Sequence, residues 1–215
     1  MLSLTRMLSE YHQRYVKMSD AEAISKVQVK ETGLRQIFAS VGYQVPTAPE
    51  LRVMVLGCAD IRFVDQHRRI FSSILGKPVQ LTTADVVVEH LAGAAGVIQH
   101  DATLPLPDVP YDVIYGDVLI RFVEPSKQLS VLKNSYDALG AGGIAIHVFA
   151  QEDYDPPPGH QAVPGTYKVD VNSLQLELNK AGIPYLEVPL HFDVYKPGST
   201  TERMLINELA MVFRK

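Results

Sequence analysis

The chain has 215 residues, enough for one full-sized domain and an extension, because domains commonly have about 150 residues. Hydrophobic residues make up 47% of it and charged residues 20%, a balance that excludes a mainly disordered chain. The net charge is −4, from 20 basic and 24 acidic side chains, so the composition does not favour nucleic acid as a partner.

The sequence contains a single cysteine, Cys58, which cannot form a disulfide within the chain. Stability must therefore come from the hydrophobic core, and a reducing compartment, the cytoplasm, is the expected location. No apolar run approaches the roughly 18 residues that a membrane-spanning helix needs, so we expect no membrane partner.

The N-terminal part of the chain has a helical pattern. Four positions recur at helical spacing in its first segment: Leu4, Leu8, Tyr11 and Tyr15. This spacing favours an amphipathic docking helix over the alternative of a mitochondrial transit peptide, because acidic residues such as Glu10 interrupt the basic pattern. Ser19 and Glu22 resemble a capping box that opens a second helix, and a third helical stretch is expected to end near Val41.

A linker with Pro46 and Pro49 follows, since this segment cannot continue a helix. We therefore divide the chain into an N-terminal helical extension, 1–48, and an α/β domain, 49–215. In the second part, short apolar runs rich in β-branched residues predict strands and helical periodicity predicts helices. The predicted order is strand 51–57, helix 63–75, strand 79–85, helix 86–92, strand 95–102, strand 111–117, helix 125–139, strand 144–150 and helix 170–181.

Strands that alternate with helices at this spacing indicate βαβ units, and hence a parallel sheet with helices on both faces. The end of the chain differs, because two strand-like runs, 184–195 and 204–215, are joined only by residues 196–203. That connection is too short for a helical crossover, so these two strands must be antiparallel neighbours. The expected fold is a mostly parallel sheet of seven strands with an antiparallel C-terminal strand.

This order resembles the Rossmann-like fold of the class I S-adenosylmethionine-dependent methyltransferases, over roughly the last three quarters of the chain. Local motifs carry the resemblance. VMVLGCAD, at 53–60, resembles the first strand and glycine-rich loop of that family, and VQLTTAD ends in an acid at the expected place. HDATLPLPDVPYDVI, at 100–114, resembles the stretch "GDA…LPF…FDVV", and LGAGGIAIHVF, at 139–149, resembles the "LKPGG" turn and fifth strand.

The resemblance implies S-adenosylmethionine as the cofactor and a small molecule as the other partner. Ligands of open parallel sheets bind at the carboxyl ends of the strands, and carboxylates there suit a ligand rich in hydroxyl and amino donors. Asp85 matches the acid that binds the ribose hydroxyls, and Asp101 with Ala102 matches the pair that holds the adenine. Asp117 is the candidate catalytic residue. The candidate cofactor-binding residues are Gly57, Cys58, Ala59, Asp60, Asp85, Asp101, Ala102 and Gly116.

The first loop departs from the family pattern, which has several glycines and an acid before them. Only Gly57 remains, Ala59 is a small substitute, and Ile61 is bulky and cannot easily take a positive φ. Asp60 has two interpretations, a ligand of the cofactor's ammonium group or the cap of the next helix. Two functions stay open. The first is methyl transfer to a small or medium-sized acceptor, and the second is an inactive methyltransferase-like scaffold that binds a partner.

Other classes of site are less well supported. A nicotinamide dehydrogenase is disfavoured because the fingerprint glycines are missing and the acid lies 28 positions after Gly57, against the roughly 20 expected. The histidines have no metal-ligand spacing, so we expect no metal. His147, inside a strand, is interpreted as a core histidine, and Cys58 as a small loop residue. Loop 151–165 is either a substrate lid or a solvated loop, and the N-terminal helices either close the pocket or mediate dimerisation.

Overall fold

The computed structural model describes residues 15, 17–156, 165–196, 199 and 201–215. Seven strands form one sheet: β1 (Leu51–Leu56), β2 (Val79–Asp85), β3 (Val97–Gln99), β4 (Tyr111–Asp117), β5 (Leu139–Ala150), β6 (Tyr185–Tyr195) and β7 (Arg203–Arg214). The α-helices of the described residues are α1 (Asp20–Ser40), α2 (Ile61–Leu75), α3 (Pro125–Asp137), α4 (Gln151–Tyr154) and α5 (Val171–Lys180).

The sheet has the strand order β3-β2-β1-β4-β5-β7-β6. Strands β1 to β5 are mutually parallel, and β7 runs antiparallel to both of its neighbours, β5 and β6. This confirms the expected mostly parallel sheet with an antiparallel C-terminal strand. Because the order reverses direction at β1, the carboxyl ends of β1 and β4 lie at the topological switch point, where such sheets bind ligands.

Two apolar cores stabilise the sheet, one on each face. Leu34 of α1 and Phe71 of α2 are buried against Val55 of β1 on the first face. Leu132 of α3 and Leu178 of α5 belong to the core on the second face. The expectation of helices on both faces is confirmed, and α1 shares the core of the sheet on the first face.

Helix α1 begins with the predicted capping box. The Ser19 hydroxyl accepts from the backbone N–H of Glu22, whose carboxylate accepts from the backbone N–H of Ser19. The two separate helices expected after Ser19 are one continuous helix, Asp20–Ser40. The predicted N-terminal docking helix lies almost wholly outside the described residues. The boundary between the extension, 1–48, and the α/β domain, 49–215, stays a prediction.

The connection from α1 to β1 is bonded to three separate elements. Arg214, at the end of β7, donates to the carbonyl of Val41. The Tyr43 hydroxyl donates to the carbonyl of Asp112 in β4. Lys77, just after α2, donates to the carbonyls of Pro46 and Ala48. These bonds fix the position of α1 relative to the sheet.

One predicted element is wrong. Residues 86–92 were expected to form a helix, but only a single 3₁₀ turn, Glu89–Leu91, is present there. The three consecutive valines before it lose side-chain freedom in a helix and favour extended backbone. Strand β5 also begins earlier than expected, at Leu139, because Leu139 pairs with Tyr111 of β4 ahead of the main ladder that starts at Ile144. None of the helices in the described part of the chain is long and apolar enough to cross a membrane.

Candidate functional site

A cavity of about 240 Å³ opens at the carboxyl edge of the parallel strands. Its wall combines the ends of β1, β2 and β4, the loop after β3, and two N-terminal residues, Tyr15 and Lys30. Seven of the candidate residues lie together in this wall: Gly57, Cys58, Ala59, Asp85, Asp101, Ala102 and Asp117. The structure therefore brings to one cavity residues from four separate segments of the sequence.

The loop after β1 owes its shape to one glycine and two side chains. Gly57 has φ +77°, which only glycine adopts without strain, and so it turns the chain at the end of β1. The backbone N–H of Cys58 donates to Asp85 Oδ2 at 2.9 Å, and His90 Nε2 donates to the Cys58 carbonyl at 2.6 Å. Hydrogen bonds with neighbouring side chains thus fix the backbone of Cys58 on both sides.

Asp85 lies at the end of β2 and is nearly buried, with 9% of its surface exposed. Its second oxygen, Oδ1, accepts from the backbone N–H of Val87 at 3.1 Å. Each carboxylate oxygen can accept more than one hydrogen bond, so Asp85 keeps capacity toward hydroxyl groups in the cavity.

The loop after β3 forms the opposite wall. Asp101 Oδ1 accepts from the backbone N–H of Thr103 at 2.9 Å, and Asn134 of α3 donates to the carbonyl of Ala102 at 3.1 Å. His100 also lines the cavity, and its buried Nε2 has no hydrogen-bond partner among the described residues. Sequence reasoning did not single out His100, although it directly precedes the predicted pair.

Asp60 and Gly116 are not among the described residues that line the cavity. Asp60 is the N-cap of α2, where its carboxylate accepts from the backbone N–H of Arg62 and pairs with the Arg62 guanidinium. This is the second of its two interpretations. A Cβ at Gly116 would lie 2.9 Å from His147 Nδ1, so Gly116 makes room for that ring.

His147 is a core residue, as its position in a strand indicates. It is fully buried, its Nε2 is 3.0 Å from the Ser135 hydroxyl, and burial lowers its pKa to about 3. Cys58 is unreactive for a related reason, because burial raises the pKa of its thiol to about 11. Neither residue is suited to acid–base or nucleophilic chemistry near neutral pH.

Asp117, at the end of β4, forms an ion pair with Lys30 of α1. Lys30 Nζ is 2.7 Å from Asp117 Oδ2 and 3.2 Å from Nε2 of His67, a buried residue of α2. Burial disfavours the charged amine, but the Asp117 carboxylate outweighs this and raises the pKa of Lys30. We call Lys30, Asp117 and His67 the acceptor-side cluster, because Asp117 is the candidate catalytic residue and Lys30 contacts both other residues.

Sequence reasoning missed Lys30 and His67. The pattern of α2 contained a signal, since His67 falls on the same helical face as the buried Phe63 and Phe71. Glu208 of β7 was missed too, and it lies close enough to Asp117 for the negative charge of that carboxylate to raise its pKa. Burial and the charge of Asp117 together raise the pKa of Glu208 to about 8. In the parts of the chain that the structure describes, no group of three or more acidic, histidine or cysteine side chains could hold a metal ion.

The chain is similar to known proteins in its fold and not in its sequence. No protein-family model matches the chain, and no curated protein matches it at a significant level. The chain is similar to the N-methyltransferase NodS from Bradyrhizobium japonicum WM9, solved with S-adenosyl-L-homocysteine, with a TM-score of 0.55 and 15% identity over 100% of this chain and 97% of that one.

Two further structures are similar over part of their length. TehB from Haemophilus influenzae has a TM-score of 0.54 and 18% identity, over 85% of this chain and 62% of that one. A variant of LepI, solved with S-adenosyl-L-homocysteine and a substrate analogue, has a TM-score of 0.53 and 14% identity, over 83% of this chain. The chain spans only 46% of LepI. The fold is that of the class I S-adenosylmethionine-dependent methyltransferases.

Proposed function

We propose that this protein binds S-adenosylmethionine in the cavity and transfers its methyl group to a small or medium-sized acceptor. The observation that carries the proposal is the meeting of Gly57, Asp85 and Asp101 in one cavity at the switch point of this fold. Structures solved with this cofactor or its product, S-adenosylhomocysteine, share the fold, which supports the same ligand class here.

The residues present fit the cofactor. Gly57 leaves the loop without a side chain where a ligand must approach the backbone. Asp85 offers carboxylate oxygens for hydroxyl groups, and the buried Nε2 of His100 offers a polar atom without a partner among the described residues. When bound, S-adenosylmethionine supplies a methyl group on a sulfonium centre.

The chain's own contribution is orientation of the two reactants. Methyl transfer from a sulfonium is an in-line displacement, so holding the nucleophile in line supplies much of the rate. Asp117, the candidate catalytic residue, is fixed by Lys30 and has 31% of its side chain exposed. The rings of Tyr15 and Phe63 form an apolar part of the wall.

A titration tests the proposal. Binding of S-adenosylhomocysteine and S-adenosylmethionine is measured by calorimetry, with the shift in melting temperature as a second readout. We expect both ligands to bind, and Asp85→Ala to weaken binding by about 1–3 kcal/mol, the usual cost when a buried ligand group loses its partner. Asp65→Ala is the control, because Asp65 is exposed on α2 and bonds only to Arg68 among the described residues.

Each outcome has a defined meaning. Absence of heat and of a melting shift with either ligand refutes the enzyme and leaves the scaffold interpretation. Binding that Asp85→Ala leaves unchanged shows that the ribose site has been misplaced. The cytoplasmic location, a homodimer and a protein partner stay predictions.

A further inference from the structure

The acceptor-side cluster contains hydrogen-bond donors that its described contacts leave unused. The Lys30 ammonium has three N–H donors, of which Asp117 and His67 accept two. Its nitrogen also lies 5.3 Å from the ring centre of Tyr115 and 5.9 Å from that of Phe63. The cation is therefore held in place by aromatic faces while one N–H remains available.

His67 adds a second donor. Because its Nε2 accepts from the Lys30 ammonium, the ring proton must be on Nδ1. His67 is only 2% exposed, and Nδ1 has no hydrogen-bond partner among the described residues. A buried N–H without a partner costs free energy, which a ligand with an acceptor atom would recover.

The cluster offers little to a cationic ligand. The carboxylate of Asp117 is already paired with Lys30, and Glu208 holds a proton at neutral pH because its pKa is about 8. Lys26, one helical turn before Lys30, adds a further positive charge that acts on Glu208. Lys30 and Lys26 thus place two positive charges beside Asp117, while Glu152, which also acts on Glu208, adds a negative one.

Neither His67 nor Lys30 is suited to remove a proton from an acceptor. The lone pair of His67 Nε2 is engaged by Lys30, and burial followed by the Lys30 charge lowers its pKa well below the usual value. Lys30 itself keeps its proton. An acceptor that arrives already deprotonated needs no base.

We propose that the acceptor is a carboxylic acid whose carboxylate is anchored by Lys30 and whose apolar body packs against Tyr15 and Phe63. The proposal rests on the proposed function and names its substrate class. In the transfer, a carboxylate oxygen forms a bond to the methyl carbon as the carbon–sulfur bond of the sulfonium breaks. The electron pair goes to sulfur, the products are a methyl ester and a neutral sulfide, and no proton moves.

The test uses benzoate, benzamide and benzylamine as probes on the full chain saturated with S-adenosylhomocysteine. The three probes share a benzene ring and carry a negative, a neutral and a positive group, respectively. Their relative affinities therefore show which charge the site prefers to bind. We expect benzoate to bind about tenfold or more tightly than the other two, because a hydrogen bond to a charged group contributes about 1.5–3 kcal/mol. The nitrogen-bound proton of His67 should shift in the NMR spectrum on addition of benzoate.

Variants of Lys30 locate the effect. Lys30→Met should weaken benzoate about tenfold or more, Lys30→Arg should retain most of the affinity, and Lys133→Met, at an exposed position of α3, should match the wild type. If Lys30→Met does not fold, the affinities of benzoate and benzamide for the wild type still show whether the site prefers a carboxylate.

Three results would overturn the proposal: benzylamine that binds as tightly as benzoate, no binding of benzoate at millimolar concentration, or a folded Lys30→Met variant with unchanged affinity. The heat of S-adenosylhomocysteine binding is measured first. Its absence refutes the proposed function, whereas its presence without benzoate binding refutes only the substrate class.

Discussion

The Gly57→Ala substitution tests whether the altered first loop still lies against a ligand. At φ +77°, an alanine pays the steric cost of the left-handed region, about 1–2 kcal/mol. Its Cβ would also lie 3.1 Å from Leu119 Cδ1, the end of a flexible side chain that can move aside. For a chain of this size the expected loss lowers the melting temperature by about 2–8 °C.

The Gly57→Ala substitution should weaken ligand binding as well as folding. Gly57 lines the cavity, so the added methyl group occupies space that the cofactor needs. Overpacking of this kind commonly costs about 1–3 kcal/mol, which corresponds to a loss of affinity for S-adenosylhomocysteine of about 5- to 150-fold. Calorimetry measures the affinity, and urea unfolding measures the stability.

Gly76→Ala is the matched control. Gly76 ends α2 with φ +66°, and a Cβ there would meet nothing within 4 Å. Both variants should lose a similar free energy of unfolding, but only Gly57→Ala should lose affinity. If the two variants bind S-adenosylhomocysteine equally well, the cofactor does not approach Gly57 and the proposed placement of the ligand is wrong.

Three other substitutions test the rest of the structure. Glu208 has a folded pKa of about 8 against an ordinary 4.5, so the folded state binds its proton more tightly and the stability that Glu208 contributes should fall as pH rises from about 5 to 8. The buried His67 and His147 have the opposite effect, so urea unfolding should show the fall in the difference in free energy of unfolding between the wild type and Glu208→Gln, where their contributions cancel. Ser19→Ala removes the capping box of α1 and should cost about 1 kcal/mol in the same assay. Gly116→Ala forces a Cβ against His147 and should cost about 1–3 kcal/mol, while calorimetry finds the affinity for S-adenosylhomocysteine close to the wild type.

The sequence was sufficient to predict the sheet that carries the site and the edge at which the site lies. Alternation of strands and helices determined the sheet, and parallel strands place their carboxyl ends at one edge, so Asp85 and Asp117 could be predicted to share that edge. The antiparallel pair at the end followed from the length of one connection. These inferences depend on local periodicity and chain length, which a single sequence contains.

The chemistry of the acceptor side could not be predicted in the same way. Lys30 meets Asp117 across 87 positions of sequence, and the contact depends on how α1 packs on the sheet. Lys26 and Lys30 share a helix face, but nothing local identifies the carboxylates that face them. The wrong helix at 86–92 has a related origin, since apolar spacing alone does not separate a short helix from a single turn preceded by valines.

The hydrogen bonds of the connection between α1 and β1 bear on whether two molecules of this protein can exchange helix α1. A linker before or after a terminal helix can act as a hinge through which two molecules exchange that helix. Here a swapped helix would first have to release the carbonyls of Val41, Pro46 and Ala48 from Arg214 and Lys77. These bonds therefore oppose an exchange that would separate Lys30 from the Asp117 of its own chain.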